Sequence, residues 1–134
     1  MTKQQDFSMW SMNFILFCLA NFLYYGAFYL YIPVLPQYVE MLGGTPADIG
    51  LVGGAFGLSS FIIRPYLGKL ANEWGRKRMM LLGTISFALL FLLFGRVTGV
   101  VPLVVLRLAH GVCLAMYLAA SAAYIADYAP VDRR

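Results

Sequence analysis

Two ionisable residues, Arg107 and His110, stand inside an apolar run near the end of the chain. On a helix they share one face with Gly111, because residues three and four apart lie one above the other. If this helix starts near residue 101 and crosses a membrane, Arg107 lies roughly 9 Å and His110 roughly 14 Å along the helix axis from that start. A charge at the membrane centre costs about 2.5–3.5 kcal/mol, so such residues are usually functional and face the protein interior. We therefore predict that this face lines a cavity between helices.

Both residues also have a structural alternative. Arg107 would snorkel toward the outer headgroups if its long side chain ran along the helix. His110 would be an ordinary core imidazole if it donated its N–H to a backbone carbonyl.

A second polar group lies in the first apolar run. Asn21, Tyr25 and Tyr29 follow helical spacing, together with Phe28. The amide and the phenols offer hydrogen bonds, and the rings offer apolar contact. We expect them to form the wall opposite Arg107 and His110, and plain aromatic packing is the alternative.

The charge of the chain is concentrated in residues 68–78, GKLANEWGRKR, which carry five charged residues. Gly75 is predicted to follow a helix end, where a positive φ is needed and a side chain would clash. Arg76, Lys77 and Arg78 are predicted to hold this loop on the cytoplasmic side of a membrane.

The composition favours a membrane protein. The chain is 61% hydrophobic and 12% charged, whereas soluble domains carry roughly 25% charged residues. The net charge is +4, but the basic residues lie between apolar runs and form no solvated stripe, which argues against nucleic-acid binding. Cys18 and Cys113 both lie inside apolar runs, so we predict neither a disulfide framework nor a metal site.

Four apolar runs are long enough to cross a bilayer as helices, which need about 20 residues each. We place them at about 11–32, 46–71, 79–95 and 101–126. The second is predicted to begin with a capping box, in which Thr45 caps the helix, Pro46 takes its first position and Asp48 its third.

The distribution of Lys and Arg predicts the orientation of these spans. The loop over residues 33–48 has neither, whereas residues 68–78 have four of them. The N-terminus, residues 68–78 and the C-terminus are therefore predicted to be cytoplasmic.

Small residues mark one face of the second span. Spacings of three and four connect Gly50, Gly53, Gly54, Gly57, Phe61, Arg64 and Gly68. Such a face lets another helix approach closely. We expect a partner helix to pack there and to move against it, with static packing as the alternative.

The run at 68–78 resembles the loop signature between the second and third helices of major facilitator superfamily transporters, Gly-x-Leu-Ala-Asp-Arg-x-Gly-Arg-Lys. The matching residues are Gly68, Leu70, Ala71, Gly75, Arg76 and Lys77. Asn72 stands where the family usually has Asp, and Glu73 where it usually has Arg. We hypothesise that Glu73 or Asp127 partly supplies the missing charge for Arg76.

Two further motifs resemble the same family. Leu103, Arg107, His110 and Gly111 are similar to its fourth-helix motif Leu-x-x-x-Arg-x-x-Gln-Gly, with His110 in place of Gln. Residues 127–130, Asp-Tyr-Ala-Pro, resemble the start of the loop that follows this helix.

The resemblance implies an all-α integral membrane protein whose residues 1–134 form four helices of the N-terminal six-helix bundle. The family has twelve or more spans, so we expect the chain to be an N-terminal fragment. It implies a secondary active transporter of a small solute that works by alternating access, with efflux as one option, in a bacterial plasma membrane. The expected partners are the substrate, the lipid bilayer and the remaining helices, with no nucleic acid, metal or cofactor and no enzymatic activity.

The resemblance also assigns roles to residues. An inter-half gating loop is implied for Gly68, Asn72, Glu73, Gly75, Arg76 and Lys77. A substrate or coupling pathway is implied for Asn21, Tyr25, Tyr29, Arg107 and His110. Helix packing is implied for Gly50, Gly54, Gly57 and Gly111.

Other classes fit less well. A small four-helix multidrug exporter needs a Glu in its first span, which is absent here. A structural or signalling four-helix protein predicts a large outer loop with cysteines. A membrane enzyme needs a cluster of His and acids. Because no span carries Asp or Glu in its interior, proton coupling through this half would require His110, or an acid elsewhere.

Overall fold

The computed structural model describes residues 12–128, and the side chains of residues 12–126. Five helices account for most of this range, and no strand occurs within it. They are α1 (Met12–Tyr31), α2 (Val34–Met41), α3 (Pro46–Trp74), α4 (Arg76–Phe94) and α5 (Val100–Tyr128). Helices α1, α3, α4 and α5 are long and apolar enough to cross a membrane. The described part of the chain is thus an all-α membrane protein with four spanning helices.

The first connector contains a helix that the sequence analysis did not predict. The sequence analysis treated residues 33–48 as a loop, which is wrong for α2. Pro36 lies in the first turn of α2, where a missing N–H costs no helical hydrogen bond. Leu35 and Val39, one turn apart, are both buried against Val52 and Leu103. Burial of this apolar pair therefore favours a helix over a loop.

The start of α3 confirms the predicted capping box. The Thr45 hydroxyl accepts a hydrogen bond from the Asp48 N–H, and the Thr45 N–H donates to Asp48 Oδ2 at 2.7 Å. Two of the N–H groups that a helix start leaves without partners are satisfied in this way.

The charged run at 68–78 is more helical than expected. Helix α3 continues to Trp74 and α4 begins at Arg76, so the predicted loop is reduced to Gly75. Gly75 has φ +87°, which confirms the expected positive φ. Because only glycine adopts this conformation without strain, one residue is enough to reverse the chain.

Helix α5 is the centre of the bundle and packs mainly against α3 and α4. Gly83 of α4 lies against the α5 backbone, where an added Cβ would come within 3.1 Å of both the Cys113 carbonyl oxygen and the Tyr117 nitrogen. The sequence analysis did not single out Gly83, which allows α4 and α5 to approach this closely.

We expect Gly83→Val to destabilise the chain by about 1–3 kcal/mol, because the new side chain would force the α4 and α5 backbones apart. Detergent unfolding of the purified chain, followed by circular dichroism, measures this. Gly50→Val is the matched control, since a Cβ at Gly50 meets no atom within 4 Å. Equal destabilisation by both substitutions would contradict the assigned packing role of Gly83.

Candidate functional site

Arg107 lies in the interior of the described helices. Its side chain is only 3% exposed. The Nε–H donates to the Val52 carbonyl oxygen of α3 at 3.4 Å, and Cζ lies 4.2 Å from the centre of the Phe56 ring. This geometry places the guanidinium on an aromatic face and does not fit a side chain that snorkels to the membrane surface. Nη1 has no hydrogen-bond partner among the described residues.

His110 lies one turn further along α5 and is fully buried, with an exposed fraction of 0%. The nearest ring is that of Phe87, whose centre is 4.0 Å from the centre of the imidazole. Neither ring nitrogen has a hydrogen-bond partner within the described range. His110 is therefore not the ordinary core imidazole, bonded to a backbone carbonyl, that was the alternative.

Five aromatic rings surround His110, and we call them the aromatic box. Their centres lie 4.0–6.5 Å from the centre of the imidazole. They belong to Tyr31, Phe56, Phe87, Phe91 and Phe94. These rings come from α1, α3 and α4, so each of the other three spanning helices contributes at least one ring beside His110 of α5.

Within the described helices, the aromatic box fills the face of Arg107 and His110 that was predicted to line a cavity between helices, so that cavity remains a prediction about helices beyond the described ones. Large rings from three helices fill the space around Arg107 and His110, because each ring buries much apolar surface there. Two other cavities, of about 430 and 370 Å³, lie between α1 and α4, and one tyrosine of α5 contributes to the lining of each. Neither of these two cavities is lined by Arg107 or His110.

Gly111 determines how closely α5 approaches α3. An added Cβ at this position would overlap the Phe56 carbonyl oxygen and the Ser59 hydroxyl. Only glycine allows the two helices to approach this closely, and the close packing places the Phe56 ring beside the Arg107 guanidinium. Gly111 thus packs helices within the described chain, whereas Gly50, Gly54 and Gly57 do not, since a Cβ on any of them would meet nothing within 4 Å. Their predicted packing role remains a prediction about a partner helix.

Helix α1 presents a different face from the predicted one. The Asn21 amide donates to the Phe17 carbonyl oxygen of its own helix at 2.9 Å. Tyr25 is half-buried, and Tyr29 is 65% exposed. None of these three is brought to Arg107 or His110 by a described contact. The inward face of α1 consists instead of Phe17, Tyr24, Phe28 and Tyr31.

Tyr24 and Tyr117 form an aromatic pair that the sequence analysis missed. Their ring centres lie 4.0 Å apart with an interplanar angle of 12°. Both hydroxyls are buried and have no hydrogen-bond partner among the described residues. The signal in the sequence was the spacing of residues 17, 24, 28 and 31, which also follows a helical face.

At the other end of the bundle, Arg76 joins α4 to α5. Its Nη1 donates to the Ala123 carbonyl oxygen at 2.7 Å. Asn72, Glu73 and Lys77 are exposed. The side chain of Asp127 lies outside the described ones, so the hypothesis that an acid supplies the missing charge for Arg76 remains a prediction.

Gly68 has open space around it, with nothing within 4 Å of an added Cβ. It extends the exposed glycine face of α3 toward the charged end of that helix.

Among the described residues, no group of three His, Cys, Asp or Glu side chains could hold a metal ion.

Comparison with known proteins gives consistent matches. The family model of the Major Facilitator Superfamily matches residues 17–134. Multidrug resistance protein 2 of Bacillus subtilis is 33% identical over 105 residues, which cover 78% of this chain and 26% of that protein. Quinolone resistance protein NorA of Staphylococcus aureus is 36% identical over 105 residues, which cover 78% of this chain and 27% of NorA. The chain thus spans about a quarter of the length of the curated relatives it matches.

Proposed function

The chain belongs to the major facilitator superfamily, and from that membership we propose that it forms the first part of a secondary active transporter that exports a small solute by alternating access. Family membership indicates a transporter rather than an enzyme, and it disfavours the small four-helix exporter and the structural or signalling protein. The observation that carries the proposal is Arg107, a buried guanidinium in a spanning helix. Charged groups inside membrane spans typically mark substrate or ion pathways.

We propose that Arg107 and His110 belong to the coupling pathway of this transporter. The guanidinium contacts one carbonyl and two rings, and its Nη1 is left without a partner among the described residues. A buried donor without a partner costs free energy and calls for an explanation, such as a catalytic or binding role. Asn21, Tyr25 and Tyr29 remain proposed contacts for the solute on α1.

The proposed substrate is an amphipathic molecule with an aromatic part. The names of two relatives refer to multidrug and quinolone resistance, which supports this class of substrate for the present chain. Tyr24 and Tyr117 both line the cavity of about 370 Å³, and their hydroxyls have no hydrogen-bond partner among the described residues, so this cavity has aromatic walls next to hydrogen-bonding groups. A planar solute with polar substituents would suit both features.

We expect Arg107→Ala to abolish export without preventing membrane insertion, because it removes a charge that is costly to insert and leaves the close approach of α5 to α3 at Gly111 in place. The chain replaces its matched segment in NorA, and the resistance of the host cells to a quinolone is measured. Arg107→Ala should lower resistance to the level of cells without a transporter, at an unchanged amount of protein in the membrane.

Arg96→Ala is the matched control in this chimera, since Arg96 is exposed between α4 and α5. It should leave resistance unchanged. Resistance that persists in Arg107→Ala, or that falls equally in both variants, would contradict the proposed role of Arg107.

We also propose that the N-terminus and residues 76–78 face the cytoplasm of a bacterial plasma membrane. The proposal rests on the excess of Lys and Arg in this connection. A cysteine introduced at Gln37 should react with a membrane-impermeant maleimide added to intact cells, because Gln37 is exposed on α2. A cysteine at Lys77, which is also exposed, should react only after the cells are opened. The reverse pattern would refute this orientation.

The segment with Gly68, Asn72, Glu73, Gly75, Arg76 and Lys77 is proposed to close the cytoplasmic side against the other half of the transporter. Exposure of Asn72, Glu73 and Lys77 leaves them available to such a partner. The hydrogen bond from Arg76 to Ala123 fixes the segment to α5.

Gly68→Val should lower resistance in the same chimera, since the added side chain would block the approach of a partner helix. It should not destabilise the isolated chain, because no atom lies within 4 Å of its Cβ. Gly95→Val is the matched control, at an equally open glycine at the other end of α4. Unchanged resistance in Gly68→Val would remove the gating role.

A further inference from the structure

Two nitrogen bases share the aromatic box without a counter-charge. Arg107 and His110 both lie against Tyr31 and Phe56, with Cζ of Arg107 at 5.7 and 4.2 Å from the two ring centres and the imidazole centre at 6.5 and 6.1 Å. Four buried polar atoms on three of these side chains have no hydrogen-bond partner among the described residues, namely Arg107 Nη1, both His110 nitrogens and the Tyr31 hydroxyl. Buried polar groups are usually hydrogen-bonded, so four such atoms at one site call for an explanation, such as the binding of a proton, an ion or water.

The groups that face His110 determine what it can bind. Its own helix contributes Arg107, and α1 contributes Tyr31, whose phenol stays uncharged in acid. Helices α3 and α4 contribute only the rings of Phe56, Phe87, Phe91 and Phe94. The rings present negative faces that attract a cation, whereas no carboxylate faces the site among the described side chains. The chemistry of the box therefore suits one cation.

Two cations in this box would repel each other strongly, since low-dielectric surroundings screen charges poorly. Arg107 is permanently charged, so the uncharged imidazole and the guanidinium can coexist there. A protonated imidazole and the guanidinium cannot both remain without a new counter-charge.

We propose that His110 is a proton-binding site that competes with the Arg107 guanidinium for the aromatic box. A lone pair on an imidazole nitrogen takes a proton from the aqueous phase, an N–H bond forms, and the ring gains one positive charge. The imidazolium then occupies the box, and the guanidinium leaves Phe56 and moves toward the near membrane surface.

The position of Arg107 makes this displacement feasible. Arg107 lies seven residues after Val100, the first residue of α5, which is about 10 Å along the helix axis. A long Arg side chain can carry its charge over much of that distance while its stem stays in apolar surroundings. The hydrogen bond that holds it, at 3.4 Å to the Val52 carbonyl, is long and therefore weak.

The inference rests on the proposed function only for its biological use, as a link between proton uptake and movement of Arg107. Proton binding at His110 requires only residues of this chain, so it can be tested without measuring transport. Loss of export in the NorA chimera would thus bear on the proposed function and leave this proton site standing.

The test follows the imidazole of the chain in phosphatidylcholine bicelles. His110 is the one histidine of the sequence, so a ¹³C-labelled imidazole gives a single signal by nuclear magnetic resonance. The pH is lowered from about 8 to about 4, a range that spans ordinary histidine titration, and near-ultraviolet circular dichroism follows the aromatic box. We expect protonation of His110 and a change in the near-ultraviolet spectrum to share one midpoint.

Variants distinguish competition between His110 and Arg107 from an effect of the burial of His110 alone. Arg107→Gln keeps a hydrogen-bonding group and removes the charge, so it should raise the proton affinity of His110 about tenfold or more, which corresponds to one unit of pH. Arg78→Gln removes an exposed charge at the other end of the bundle and should leave the affinity unchanged. His110→Gln should abolish the spectral transition that protonation causes.

Three outcomes would overturn the proposal. The imidazole could stay uncharged over the whole range, the spectral transition could persist in His110→Gln, or Arg107→Gln could change the affinity no more than Arg78→Gln does. Far-ultraviolet circular dichroism, recorded for each variant, shows that the helices are retained.

Discussion

The close approach of α5 to α3 at Gly111 is the constraint on which the described site depends. No side chain fits between the two helices there, because the Phe56 carbonyl and the Ser59 hydroxyl occupy the space. That approach places the Val52 carbonyl and the Phe56 ring beside Arg107, which has no carboxylate partner among the described side chains. The bundle thus buries a charge by means of backbone dipoles and ring faces, which require close packing to be effective.

Much of the architecture could be predicted from the sequence, because membrane spans and helix caps have strong local signals. The four spans follow from the length of the apolar runs, and the Thr45 cap and the positive φ of Gly75 follow from local stereochemistry. Helix α2 could not be predicted this way, since its stability comes from the burial of Leu35 and Val39 against residues distant in sequence.

The candidate site was only partly predictable. Arg107 and His110 stand out because ionisable residues are costly in a membrane. The residues that surround them cannot be identified in this way. On α1, helical spacing fits both the exposed Tyr29 and the buried Tyr24, and periodicity alone cannot choose between two overlapping faces. The close contact at Gly83 was hidden for a similar reason: its neighbours are backbone atoms of another helix. Such information lies in the packing and not in the residue type.

The single-residue connection at Gly75 has a mechanical consequence. A longer loop would let the adjoining ends of α3 and α4 separate, whereas one glycine keeps Trp74 and Arg76 side by side. The bond from Arg76 to Ala123 fastens the base of this helical hairpin to α5, and the contacts at Gly83 and Gly111 hold it along its length. The charged end of α3 is therefore held close to α4 and α5, and Pro65, which interrupts the hydrogen bonds of α3 between this end and Phe56, marks the point at which the rest of the helix can bend away.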